Sequence, residues 1–289
     1  MEHLTLIMGI KLTIYYGSWL AFPLLYLFMK KRRWILLLLA VLFIYARFIE
    51  PQILFVNHYK IKTGFKAKYA LIADMHLGIY NNQRILERTV EKINALDVDA
   101  VMIAGDFTYE PQFDDMRELF APLSKLKVPV FAVLGNHDCE RPGPKVREEL
   151  SIILEKYGVK LITNQEVQLN GVTILGLGSR WAREDDVRLL DRYSKEDKVV
   201  VLTHNPDTAL SYDPHRAPDL TLAGHTHGGQ VRIPYLYKMV IPVTGIDILW
   251  DQGLYAYKNG QVFVTSGIGE VGLPFRFLIP PVIDVLELY

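Results

Sequence analysis

The 289-residue chain is half apolar and carries 32 basic and 32 acidic side chains. That length accommodates one large globular domain with an appendage, and the charge balance excludes a general electrostatic pull toward nucleic acid or acidic polymers. The single cysteine, Cys139, excludes an intrachain disulfide and leaves the compartment open.

Two apolar runs open the chain. Leu4 to Met29 carries one charge, Lys11, and Trp34 to Ile49 carries none before Arg47; Lys30, Lys31, Arg32 and Arg33 separate them. A spanning helix needs roughly 20 apolar residues. The first run is long enough, and the second reaches that length with Arg47 near the interface. The expectation is an N-terminal transmembrane hairpin, with helices at about 4–29 and 34–56 in an anchor of residues 1–63; a single span is the alternative. The basic cluster follows the first run, the wrong order for a cleaved signal peptide. The same cluster argues for a cytoplasmic turn, while Lys60, Lys62, Lys66 and Lys68 argue the other way. The balance leans toward an extracytoplasmic domain.

From Lys68 the pattern changes to short apolar strands alternating with amphipathic helices, which makes residues 64–289 an α/β domain. Strands are expected at Tyr69–Ala73, Ala100–Ala104, Val130–Leu134, Val172–Leu177, Val199–Thr203, Leu220–Ala223 and Val262–Thr265. Helices are expected at Asn82–Leu96, Asp114–Leu126 and Pro144–Tyr157, to cover the sheet faces. No internal repeat or low-complexity tract interrupts this pattern.

The strand ends carry the chemistry. In order they read Asp74-Met-His76, Gly105-Asp106, Gly135-Asn136-His137-Asp138, Thr203-His204-Asn205 and Gly224-His225-Thr226-His227-Gly228-Gly229. Loops at carboxyl ends of strands are where α/β sheets place ligand sites, so five such motifs converge on one crevice. In an extended segment, residues two apart project to the same side, so Asp74 with His76, and His225 with His227, each present two ligands. The glycines sit where the backbone turns sharply or must approach a phosphate closely. Mixed imidazole and carboxylate ligation suits Mn, Fe or Zn better than Ca or Mg. Two such ions about 3.5–4 Å apart clamp both the attacking and the leaving oxygen of an in-line phosphoryl displacement.

Together these motifs resemble the calcineurin-like metallophosphoesterase family over roughly residues 68–289. Thr203 to Asp207, Gly224 to Val231 and Thr265 to Pro281 are similar to its bacterial membrane-associated phosphodiesterases. The resemblance implies a sandwich of two mixed sheets flanked by helices. It implies that Asp74, His76, Asp106 and His227 hold one metal, that Asp106, Asn136, His204 and His225 hold the second, and that Asp106 bridges. It also implies that His137 is a charged or proton-donating group at the leaving oxygen, oriented by Asp138. The cofactors expected are two divalent ions, Mn first. The location expected is a bacterial inner membrane, with a lipid-linked or envelope substrate such as UDP-2,3-diacylglucosamine, a reading that requires a cytoplasm-facing domain.

Alternatives stay open at this stage. Hydrolysis of water-soluble phosphodiesters or phosphomonoesters fits the same ligands, and a non-catalytic scaffold of the same fold does not need the full set. Arg180 is a candidate phosphate contact, against a solvated loop. Pro234 to Tyr257 is apolar with few charges and fits either an acyl-chain groove or ordinary packing. His3, His58 and His215 belong to no motif, and neither a nucleic acid nor an obligate protein partner is expected.

Overall fold

The computed structural model describes residues 11–29, 34–111, 116–139, 146–237, 250–258 and 260–289. Continuous apolar runs build its centre, because a strand covered on both faces needs no polar side. The strands are β1 (Phe55–Ile61), β2 (Ala67–Ile72), β3 (Leu77–Gly78), β4 (Ala100–Ala104), β5 (Thr108–Tyr109), β6 (Val130–Val133) and β7 (Val159–Leu161). They continue with β8 (Glu166–Leu169), β9 (Val172–Gly176), β10 (Val199–Leu202), β11 (Leu220–Ala223), β12 (Gly253–Tyr257), β13 (Gly260–Val264) and β14 (Val282–Leu288). Every residue of β4, β6, β9, β10 and β11 is buried.

Two six-stranded sheets result, in the orders β1-β14-β2-β4-β6-β7 and β12-β13-β11-β10-β9-β8, with β3 and β5 as a small pair. Both sheets are mixed. In the first, β14 runs antiparallel to β2; in the second, β12–β13 and β8–β9 are antiparallel. The sheets face each other across a core that includes Tyr69, Leu71, Met102, Leu202, Leu222 and Phe263. All seven strands expected from the sequence are present, two of them with the expected bounds and the others with one or both ends shifted by at most two residues. This is the two-sheet α/β sandwich the pattern implies.

Helices cover the outer face of the first sheet. Gln83–Asn94 is the clearest: Asn82 accepts from the Arg84 N–H as its N-cap, and Ile85, Leu86, Val90 and Ile93 recur at helical spacing and are buried. Met116–Phe120 and Arg147–Lys156 complete that layer, the first followed by the 3-10 helix Ala121–Lys125 in place of the α-helix expected as far as Leu126; the expected beginnings of these two helices, 114–115 and 144–145, lie outside the described residues. The outer face of the second sheet differs from expectation. Among the described residues it is closed by the short 3-10 helices Val187–Arg192 and Pro206–Ser211 and by Trp250. The polypeptide between β9 and β11 is too short in apolar periodicity to make full amphipathic helices.

At the N-terminus, helix Ala21–Met29 packs against helix Trp34–Ile44. The latter continues through a π turn, Tyr45–Ile49, and a 3-10 turn, Glu50–Gln52. The whole stretch Trp34–Gln52 has a mean hydropathy of 1.9 and the length and composition to cross a membrane. The apolar helix therefore ends at Gln52 rather than at residue 56. Residues 55–61, counted with the anchor on sequence, pair in parallel with β14 as an edge strand. Asn57, His58 and Lys60 interrupt the apolar run there, and partial exposure on an edge accommodates them.

Candidate functional site

The loops that leave β2, β4, β6, β10 and β11 meet at one end of the two sheets. Asp74, His76, Asp106, Asn136, His204, His225 and His227 are all buried there. They form two clusters of ligating atoms, Asp74 with His76 and His227, and Asp106 with His204 and His225; within each cluster the atoms lie within 4.8 Å of one another.

Asp106 stands between the clusters. Its Oδ2 is 3.2 Å from His204 Nε2 and 3.5 Å from His76 Nε2, while its Oδ1 accepts the His137 backbone N–H at 3.0 Å. His204 Nδ1 lies 2.7 Å from the Ala104 carbonyl, to which it donates, so its Nε2 is left with a lone pair. That nitrogen is 3.0 Å from Asn136 Oδ1 and 3.1 Å from His225 Nδ1. In the other cluster, His76 Nε2 and His227 Nε2 are 3.1 Å apart, with His76 Nδ1 facing the Thr108 carbonyl. Asp74 Oδ1 is 3.6 Å from His227 Nε2, and both carboxylate oxygens accept the His225 N–H.

This is an arrangement of acceptors aimed at acceptors. Lone pairs that converge in a buried space repel unless a cation sits among them. Two further ring nitrogens, His225 Nε2 and His227 Nδ1, are buried without a hydrogen-bond partner. The donor set, four imidazoles, two carboxylates and one amide oxygen, suits borderline divalent metals. The residues therefore fit two metal ions.

The electrostatics agree. Burial holds His225 and His227 well below the usual imidazole range and takes His76 down to about 3, so these rings are neutral and free to ligate. Burial also lifts Asp74 to about 7, with the Asp106 charge adding to it. For Asp106, burial acts upward, yet the His204 and His137 rings outweigh it and keep the carboxyl well below its ordinary value. Burial acts downward on His204, but the carboxylates of Asp106 and Asp74 override it and raise the ring to about 9, so with no other cation beside them the ring takes up a proton, and its Nε2 lone pair is the one that a metal ion replacing that proton would use. The two carboxylates thus draw positive charge into the space between them.

The convergence does not come from extended strands, as the two-residue spacing had led us to expect. Asp74, His76, Asp106, His225 and His227 have φ of 52°, 44°, 53°, 74° and 53°. Non-glycine residues rarely occupy this left-handed region, and clustering of such strain marks functional sites. Each chain reversal swings the side chain back over the strand end, which an extended backbone cannot do. Gly135 is required by the same crowding, since a Cβ there would lie 2.0 Å from Asp106 Oδ1.

His137 is partly exposed and lines the cleft, its ring packing edge-on against His76 and Tyr109 at centroid distances of 5.0 and 5.3 Å. Burial lowers its pKa, and Asp106 opposes this only in part. Asp138 does not orient that ring. Its Oδ1 accepts from the Thr108 N–H and hydroxyl, and its Oδ2 from the Phe107 and Gly135 N–H groups, at 3.0–3.1 Å. Asp138 therefore ties the loop after β4, which carries Asp106, to the turn after β6, which carries Asn136. Arg180 is likewise committed elsewhere, to Asp185, Asp207 and Ser211, and the cleft wall nearby is Trp181, whose ring packs 4.5 Å from His225.

Three features were assigned no role from the sequence, although the first two lie within the Thr265–Pro281 segment. Gly267-Ile268-Gly269 threads beside β2's exit, with the Ile268 and Gly269 N–H groups donating to the Ala73 and Asp74 carbonyls at 3.1 and 2.7 Å. Arg276 is fully buried behind that loop. A cleft of about 600 Å³ runs from Asp106, Asn136 and His137 to an apolar wall of Val231, Leu273 and Phe275. The Gly-X-Gly spacing just after β13 was the one available signal. Of the apolar stretch Pro234–Tyr257, residues 238–249 lie outside the described residues.

A profile of the Calcineurin-like phosphoesterase family matches residues 67–229. An uncharacterized metallophosphoesterase of Helicobacter pylori is 29% identical over 253 residues, covering 84% of this chain and 65% of its own length. The chain thus spans just under two thirds of that relative. The Escherichia coli phosphodiesterase YaeI is 28% identical over 232 residues, 76% of this chain and 82% of its own. The UDP-2,3-diacylglucosamine pyrophosphatase LpxG of Chlamydia muridarum is 24% identical, covering 84% and 92%.

Proposed function

Because the chain belongs to the calcineurin-like phosphoesterase family and is by that membership a hydrolase of phosphoester bonds, we propose that it is a membrane-anchored phosphodiesterase or pyrophosphatase with a binuclear centre. The observation that carries the reading is the position of Asp106 Oδ2, within 3.5 Å of ring nitrogens from both clusters. In this reading Asp74, His76, Asp106 and His227 would hold one ion and Asp106, Asn136, His204 and His225 the other, with Asp106 common to both sets.

Two divalent ions held there would supply Lewis acidity to the phosphoryl oxygens and to the attacking water. The chain's own residues do the rest. Asp106 and Asn136 set the spacing of the two sites, the backbone reversals at Asp74, His76, His225 and His227 aim the ligands, and Trp181 walls the cleft. His137, on the open side of the cluster, gives a proton to the departing oxygen, and because burial lowers its pKa its protonated form is favoured toward acid pH. His137→Ala is expected to slow hydrolysis of an alkyl phosphodiester by about 10²-fold or more, and of an aryl ester with its better leaving group far less. Equal losses on both esters would remove the proton-donor role.

The membrane part rests on Trp34–Gln52 and its packing with Ala21–Met29. Between these helices the sequence carries Lys30, Lys31, Arg32 and Arg33, which by the positive-inside rule favour the cytoplasm for that side and an extracytoplasmic domain, against the opposing pull of Lys60, Lys62, Lys66 and Lys68. A lipid-linked substrate is favoured by likeness to LpxG and by the apolar wall of the cleft. UDP-2,3-diacylglucosamine would require the opposite orientation, so a topology assay on the intact chain separates it from an envelope phosphodiester. Mn is the first candidate metal. The direct test is elemental analysis of the purified chain, where close to two transition-metal ions per molecule are expected. Full hydrolysis of bis(4-nitrophenyl) phosphate at one ion or fewer would overturn the binuclear reading.

A further inference from the structure

The loop after β13 is fastened to the apolar helix over much of its length. Phe275 packs on Phe43 with ring centroids 5.2 Å apart, and Phe277 on Tyr45 at 6.4 Å. The Arg276 N–H donates to the Ala46 carbonyl at 3.0 Å, and both oxygens of the buried Glu50 accept the Leu278 and Ile279 N–H groups. Contact thus begins at Phe43, well inside the apolar helix, and continues to Glu50. At the usual helical rise, Phe43 lies about 13 Å along the helix from Gln52. A helix of 19 residues spans the roughly 30 Å hydrocarbon layer only if nearly all of it lies within that layer. The loop would then be carried below the membrane surface.

Its side chains suit that depth. Leu273 and Leu278 are 45% and 56% exposed, and Ile233 and Leu236 on the adjoining segment are 45% and 56% exposed. The adjoining segment is held to the loop by the Arg232 N–H bond to the Phe277 carbonyl. The loop is also preformed. The Gln230 side chain donates to the Val271 and Leu273 carbonyls and accepts the Val271 N–H, all at 2.8–2.9 Å, and the Tyr80 hydroxyl donates to the Gly272 carbonyl at 2.9 Å. Val271, Leu273 and Phe275 form the apolar wall of the same 600 Å³ cleft whose other end holds Asp106, His225 and His227. An apolar trough leads from the metal-binding face to the helix.

We propose that this cleft is a lateral port through which an amphiphilic phosphoester reaches the site without leaving the bilayer, its phosphate among the metal ligands and its acyl chain along Val271, Leu273 and Phe275. The inference deepens, and rests on, the membrane-anchored hydrolase reading above. It commits the substrate class to phosphoesters bearing a long alkyl or acyl chain. A water-soluble ester gains nothing from the apolar wall, whereas each methylene laid along it leaves water.

The test uses the full chain in phosphatidylglycerol vesicles loaded with Mn. Two probes share one reacting bond, 4-nitrophenyl methyl phosphate and 4-nitrophenyl hexadecyl phosphate. The wild type is expected to show a kcat/KM at least about tenfold higher for the hexadecyl ester, and Leu273→Asp to reduce that ratio to about threefold or less. Bimane on Leu278→Cys is expected to be quenched by brominated acyl chains. Equal kcat/KM for the two esters, with metal-dependent turnover of both, would overturn the port and leave the hydrolase reading intact, as would unquenched bimane. No turnover of either ester would sink the hydrolase reading, and the port with it.

Discussion

Asp106→Asn is expected to lower hydrolysis of an aryl phosphodiester by more than about 100-fold while leaving the fold intact. The size follows from position. Partners that merely orient metal ligands already cost about 10–100-fold when removed, and Asp106 Oδ2 faces ring nitrogens of both clusters directly, at 3.2 and 3.5 Å. Replacing the carboxylate with a neutral amide removes the one charge shared by the two proposed metal positions. The fold should tolerate the change. Asparagine retains an Oδ1 to accept the His137 N–H, and it is among the few side chains at ease in the left-handed conformation that residue 106 adopts at φ 53°. The measurement is the rate with saturating Mn, alongside near-ultraviolet circular dichroism and metal content. Wild-type activity in a correctly folded variant would sink the bridging role and the mechanism with it.

The largest expected effect on stability is at Arg276. Its guanidinium is fully buried and donates to the carbonyls of Gly269, Ile279, Ser266 and Gly267 over 2.6–3.2 Å. It is also the nearby positive charge that offsets buried Glu270, Asp74 and Glu50. Arg276→Met would leave several carbonyls buried without their donor and the buried Glu270 carboxyl without its compensating charge, a loss of about 3–5 kcal/mol. For a domain of this size that corresponds to a fall in Tm of roughly 10 °C. Lysine should not rescue it, since a single ammonium cannot reproduce a planar fork reaching four carbonyls. Because the same loop donates to the Ala73 and Asp74 carbonyls, metal affinity should fall together with Tm. A Tm within about 2 °C of wild type would show that the guanidinium network is dispensable.

The chemistry of the site was legible because it resides in residue types. Five polar motifs at the ends of apolar strands point to metal ligation whatever the backbone does locally, and all seven side chains named from those motifs meet in the folded chain. The central strands were legible for a similar reason. A strand covered on both faces needs no polar side, and Ala100–Ala104 and Val199–Leu202 are apolar throughout. Less legible were the edge strands. β1 carries Asn57, His58 and Lys60 and sits beside β14, 227 positions away at its Asn57–Asp284 bond. Pairing over that distance leaves no local periodicity to read.

By itself, the sequence determined the family with its reaction class, the residues that converge on one site and the presence of an apolar N-terminal helix, because each depends on residue types and their order along the chain. Only the tertiary structure decided how the ligands are aimed, since left-handed φ at five of them cannot be read from residue type. It alone assigned Asp138 to the loops rather than to the His137 ring, and Arg180 to an ion-pair network, because a side chain's partners depend on distances between remote segments. It alone joined the apolar helix to the cleft, through Phe43 and Phe275, residues that share no motif and meet only when the last loop folds back along the first helices.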